Sequence, residues 1–142
     1  MSDTPLPPWS LHPQLDKDTT SIGDLPLVRT LLMNDANYPW LVLVPRQAGI
    51  VEMIDLADDQ QMQLMSEITL LGRVLKDVTG CHKLNIAAIG NVVPQLHIHI
   101  VARRRDDAAW PRPIWGAVPA RAYEPQERER LISAIRQEVA FG

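Results

Sequence analysis

Gln95-Leu96-His97-Ile98-His99-Ile100 alternates polar and apolar residues over six positions. A period of two is the signature of a strand with one buried face. It turns Leu96, Ile98 and Ile100 into a core and lines up Gln95, His97 and His99 on the opposite face. The flanks, Val92-Val93-Pro94 before and Val101-Ala102-Arg103 after, mark a central rather than a marginal strand. Two histidines on such a face can be no more than a half-exposed strand surface. Imidazoles held on a buried strand, however, cost free energy unless they are hydrogen-bonded. That cost makes the trio a candidate site.

Two chemistries suit it. A His-x-His pair on a strand is a common pair of neutral metal ligands. A further carboxylate ligand would be wanted just beyond, where this chain has Ala102 and Arg103. Arginine repels a divalent cation and suits phosphate, so the expectation is metal: none. The other chemistry is nucleophilic attack on phosphorus. Imidazole has an ordinary pKa of about 6.5 and is a good nucleophile when neutral. It needs an acceptor on its second ring nitrogen, so that the lone pair faces phosphorus, and nearby donors for the phosphoryl oxygens. Gln95 and His99 stand on the same face to supply them.

Residues Pro94 to Arg103 resemble the signature strand of the histidine triad (HIT) proteins, His-φ-His-φ-His-φ-φ with φ apolar. The resemblance places the nucleotidyl-accepting histidine at His97, the third histidine at His99, and Gln95 where the first one stands. Glutamine donates and accepts hydrogen bonds but does not change charge near neutral pH. Leu31-Leu32-Met33-Asn34-Asp35 and Trp40-Leu41-Val42-Leu43-Val44-Pro45 are similar to the two strands preceding the family's long helix. There, an asparagine in the position of Asn34 contacts ribose or phosphate. Two departures stand out. Trp40-Leu41 replaces the family's Gly-His pair, and the Gly-Gln-Ser/Thr segment before the triad is replaced by Gly90-Asn91-Val92-Val93. The similarity runs over residues 20 to 105. It implies an enzyme, a nucleotide hydrolase or transferase acting on a phosphoanhydride, ester or phosphoramidate through a nucleotidyl-histidine on His97. Dinucleoside polyphosphates and nucleoside phosphoramidates both belong to that class. His97, His99 and Gln95 are the expected catalytic residues, and Asn34, Arg103 and Asn91 the substrate contacts. No cofactor is implied, and a homodimer is. A catalytically weak nucleotide-binding or interaction module with the same fold is the alternative.

Composition agrees. A chain of 142 residues makes one domain, large enough to bury roughly two thirds of its unfolded surface. With 46% hydrophobic and 22% charged residues it is ordinary for a globular protein. A net charge of −3 argues against a general nucleic-acid binder. The single cysteine, Cys81, has no internal partner, which points to a reducing compartment. Met1-Ser2-Asp3-Thr4-Pro5 shows no secretory pattern, and no apolar run reaches the ~20 residues of a membrane span. The expected location is cytoplasmic, with no membrane contact.

Along the chain, residues 1–16 carry Pro5, Pro7, Pro8 and Pro13 and are expected to be irregular or draped over the domain, which occupies 17–142. Residues 27–34 and 40–45 read as strands. A helix is predicted from Asp58, with Asp58 and Gln61 as a capping box and Leu64, Ile68, Leu71, Leu75 and Val78 as its apolar stripe. Gly80 is placed to end it. Lys83–Ile89 and Gln95–Ala102 read as antiparallel strands joined by a Gly90-Asn91 turn, and a final helix is predicted from Pro125 to Ala140. The fold class is α+β: an antiparallel sheet of about five strands with one long helix packed on it and a C-terminal helix. Trp110 and Trp115 are read as packing on the sheet or a partner, with purine stacking the other option. His12 and His82 read as surface residues, and Asp106-Asp107 as a solvated turn.

Overall fold

The computed structural model describes residues 6–142; the first five residues of the Pro-rich start lie outside it. Five strands form one antiparallel sheet: β1 (Thr19–Asp24), β2 (Val28–Met33), β3 (Trp40–Pro45), β4 (Lys83–Ala87) and β5 (Ile98–Arg103). Their spatial order is β1-β2-β3-β5-β4, so β5 is an interior strand and β4 an edge. Val42 pairs with His99 across β3 and β5, and Ala87 pairs with His99 from the other side. Among the described residues three α-helices accompany the sheet, α1 (Pro13–Asp18), α2 (Asp58–Thr79) and α3 (Pro125–Glu138), with a 3-10 turn at Met53–Asp55. The α+β expectation holds in layer, strand number and helix placement.

Alternation sends Leu41 and Leu43 of β3, and Ile98, Ile100 and Ala102 of β5, to one face. There they meet Leu64, Ile68, Leu71 and Leu75 of α2 and Ile132 and Ile135 of α3. The expected stripe of α2 is the one buried, with Val78 packed at its margin. Gly80 ends the helix at φ 62°, a left-handed position that glycine adopts without strain. The cap at the other end differs by one residue. Gln60 accepts from the Ala57 N–H at 3.1 Å, while Gln61 donates instead to the Leu56 carbonyl.

The opposite face is covered by the N-terminal segment and by the loop between β5 and α3. Trp9, Leu11 and Leu15 pack on Leu31, Val42, Val44 and Val93. Ala109, Ile114 and Trp115 pack beside Val101, Tyr38 and Trp40. Three expectations change here. The N-terminal segment is not irregular through residue 16: Pro13 opens α1, because proline at the first helical position loses no hydrogen bond, and His12 Nδ1 caps it by accepting from the Gln14 N–H at 3.0 Å. Strand β1 carries only one buried residue, Ile22, so its edge position left no apolar rhythm to read. Finally β5 begins at Ile98 rather than Gln95. Pro94 has no N–H to give a ladder, and the Leu96 N–H goes to the Ile50 carbonyl at 3.0 Å. The link between β4 and β5 is therefore a loop from Ala88 to His97 and not a tight turn. Among the described residues no helix is long and apolar enough to cross a membrane.

One buried carboxylate joins the layers. Glu67 in the middle of α2 is 3% exposed and accepts from the backbone N–H groups of Leu27 and Val28, the latter at 2.9 Å. Such charge-assisted bonds are stronger than neutral ones. Glu67→Leu, which removes this acceptor from two backbone donors, is expected to lower unfolding free energy by about 3 kcal/mol. Urea denaturation at neutral pH, with an unchanged m-value, checks it.

Candidate active site

His97 and His99 lie on the face opposite α2, in the gap between the two covering segments, and are 7% and 5% exposed. Their rings meet edge-on with centroids 4.8 Å apart. The polarity of their hydrogen bonds fixes both tautomers. His97 Nδ1 lies 2.7 Å from the backbone carbonyl of Gln95. A carbonyl only accepts, so Nδ1 carries the proton and the Nε2 lone pair of the neutral ring is free. For His99 the logic is reversed. The indole Nε1–H of Trp40 donates to its Nδ1 at 3.0 Å. Indole only donates, so His99 Nδ1 is bare and Nε2 carries the proton. The pair presents a lone pair and a donor side by side.

Burial, reinforced by the neighbouring His97, pushes the His99 pKa down to about 4. The Trp40 hydrogen bond acts in the same direction, since it is lost once Nδ1 is protonated. Trp115 completes the surround, its ring 5.3 Å from His99 and 6.2 Å from Trp40. A cavity of ≈ 40 Å³ adjoins His97 and is lined also by Glu52, Gly90 and Pro94. It has room for roughly three waters.

The other expected site residues fall elsewhere. Gln95 does not offer its amide to this group: Oε1 accepts from the His12 N–H and Nε2 donates to the Ser10 carbonyl, both at 2.9 Å. The Gln95 side chain is thus tied to the N-terminal segment. Arg103, expected to hold phosphate, is 1% exposed and committed inside the protein. Its Nε and Nη2 donate to Asp107 at 2.7 and 3.1 Å and its Nη1 to Asn85 at 2.8 Å, between the rings of Tyr38 and Trp110. Asp107 correspondingly is no solvated turn residue. Burial pushes its carboxyl up, but Arg103 and the N–H groups of Ala109, Arg104 and Trp110 together hold it below the ordinary value. Asn34 follows β2 and accepts from the Thr20 hydroxyl at 2.7 Å. Asn91 is exposed in the loop leading to His97. Neither is bonded to the histidine pair. Trp40 was missed as a functional residue. Its signal was a large N–H-bearing side chain where the resemblance calls for the glycine of Gly-His.

Comparison with known proteins decides the family. The HIT domain model matches residues 14–106. The chain belongs to the HIT family. It is similar over 94% of its length to the whole of a histidine triad protein from Bradyrhizobium japonicum, with 57% identity and a TM-score of 0.93. A HIT protein from Sinorhizobium meliloti 1021 shares 40% identity at a TM-score of 0.90, with 92% of this chain and 97% of that one covered. An AP-4-A phosphorylase from Mycobacterium tuberculosis H37Rv is 29% identical over 75% of this chain. The chain spans 58% of the length of that curated relative.

A pH signature follows from the HIT pair. Between pH 6.5 and about 4 the unfolded chain binds a proton at His99 that the folded chain refuses. Stability is therefore expected to fall as pH is lowered through that window, by up to roughly 3 kcal/mol. Asp24, lowered by its hydrogen bond to Arg29, and Asp107 lose their contributions only below 3.8, outside the window. Urea midpoints at pH 7.5 and 4.5 should separate in the parent and nearly coincide in His99→Phe.

Proposed function

We propose that this HIT protein cleaves a nucleoside phosphoanhydride, ester or phosphoramidate through a nucleotidyl-His97 intermediate. The observation that carries this reading is the 2.7 Å contact of His97 Nδ1 with the Gln95 carbonyl, which leaves Nε2 as an oriented nucleophile. In the first step Nε2 attacks the α-phosphorus. A phosphorus–nitrogen bond forms, the bond to the leaving group breaks, and the leaving group takes its proton from solvent. His99 Nε2–H donates to a phosphoryl oxygen as negative charge builds there. It is not the acid, because losing that proton with Nδ1 already bare would leave an imidazolate. In the second step water, with a reservoir in the cavity beside His97, attacks phosphorus. The phosphorus–nitrogen bond breaks, the water gives up a proton to solvent, the nucleoside monophosphate leaves and the lone pair returns to Nε2. Asn34, through its Nδ2–H donors, and Asn91 are the proposed substrate contacts. Similarity to a protein named AP-4-A phosphorylase supports a substrate of the nucleotide-anhydride class.

The test is intact-protein mass after brief mixing with diadenosine tetraphosphate or adenosine phosphoramidate, quenched without acid. The expected result is an adenylyl adduct or released adenosine monophosphate in the parent. His97→Ala should lose turnover by roughly a thousandfold or more. Unchanged mass with nucleotide bound and no product would instead favour a binding module.

The same reading includes a homodimer. The edge strand β4 exposes Ile86, and Met53, Ile54, Met62, Met65 and Leu70 form further exposed apolar surface on and before α2. An open strand edge beside apolar surface suits a second copy. Sedimentation at micromolar concentration should give a dimer for the parent and a monomer for Ile86→Lys combined with Met65→Glu.

A further inference from the structure

The residue standing in place of the first triad histidine carries two ties at once. Its side-chain amide clasps the N-terminal segment, accepting from the His12 N–H and donating to the Ser10 carbonyl. Its backbone carbonyl accepts the Nδ1–H of His97. The segment it clasps is itself pinned: Trp9 and Leu11 pack on Leu31, Val42, Val44 and Val93, and the Arg29 guanidinium lies 4.9 Å over the Trp9 ring. Directly after the clasp, α1 begins at Pro13.

We propose that Gln95 is a positioning residue that makes the N-terminal segment Trp9–His12 a working part of the site. The segment holds the Gln95 side chain, and the Gln95 carbonyl then holds the His97 ring with its Nε2 lone pair outward. The kinetic consequence rests on the nucleotidyl-His97 reading; the mechanical link does not.

The chemistry of the side chain explains why glutamine stands there. A primary amide presents an acceptor and donors side by side on one carbon, which matches the N–H of one residue and the carbonyl two residues earlier on an extended chain. The two nitrogens of imidazole point away from each other across the ring, so a histidine meets one of those groups at most. Methionine has glutamine's reach and meets neither. A histidine at position 95 would restore the triad pattern and release the segment.

The experiment uses the full chain as parent, Gln95→His and Gln95→Met. Amide exchange at residues 9–12 is expected to speed up by roughly tenfold in both variants, the scale of losing ordinary hydrogen bonds, while α2 amides stay protected. Nitrogen-15 spectra of His97 should show a single tautomer protonated at Nδ1 in the parent and a mixture in the variants. Turnover should fall in kcat with KM nearly unchanged. Unaltered exchange at residues 9–12 in both variants overturns the proposal. So does a loosened segment with the His97 tautomer and kcat intact. If the parent turns over no nucleotide, the reaction assigned above fails, while exchange and spectra still decide the link.

Discussion

An interior strand needs both faces covered, and in this protein the two faces of β5 are covered by different means. On one side Ile98, Ile100 and Ala102 meet α2 and α3 in a continuous apolar core. On the other, the N-terminal segment and the loop between β5 and α3 fill the place. The N-terminal segment reaches as far as Gln95, and the segment around Trp115 reaches His99. The histidine pair occupies the gap between them. Its burial, its low solvent access and the shape of the site follow from how those segments meet β5.

Within that gap the chemistry is set by which partners only accept and which only donate. A carbonyl fixes His97 as a proton carrier at Nδ1, and an indole fixes His99 as bare at the same atom. The carbonyl only accepts and the indole only donates, so the two neutral rings are oriented as complementary tautomers. The guanidinium of Arg103, nearest in sequence, is buried and turned to Asp107 and Asn85, which accept three of its five N–H donors. Oriented dipoles rather than a cation cluster make up the immediate surroundings of the nucleophile.

Much of this was legible before any coordinates. Period-two alternation in β5 and the 4-3-4-3 stripe of α2 are strong signals because each element buries one face, and the central strand and the long helix follow from them, while Pro125 marked the start of the C-terminal helix. Strand β1 was not legible, since an edge strand with one buried residue carries no rhythm. Nor was the end of the N-terminal irregularity, because Pro13 reads equally as a breaker and as a helix starter. His97 and His99 were found on spacing alone. Sequence proximity to His97 gave no sign that the Arg103 guanidinium is buried and paired with Asp107, four residues on.

The sequence by itself determined the fold class and the paired histidines on one strand face, because those depend on local periodicity and on residue types at short spacing; the resemblance to the HIT signature then singled out His97 as the candidate nucleophile. Only the tertiary structure decided what Gln95, Trp40 and Arg103 do. Each makes its defining bond to a partner distant in sequence or to a backbone group: Gln95 to Ser10 and His12, Trp40 to His99, Arg103 to Asn85. Hydrogen-bond partners of that kind leave no periodic trace. They exist only once β3, β5 and the N-terminal segment have come together.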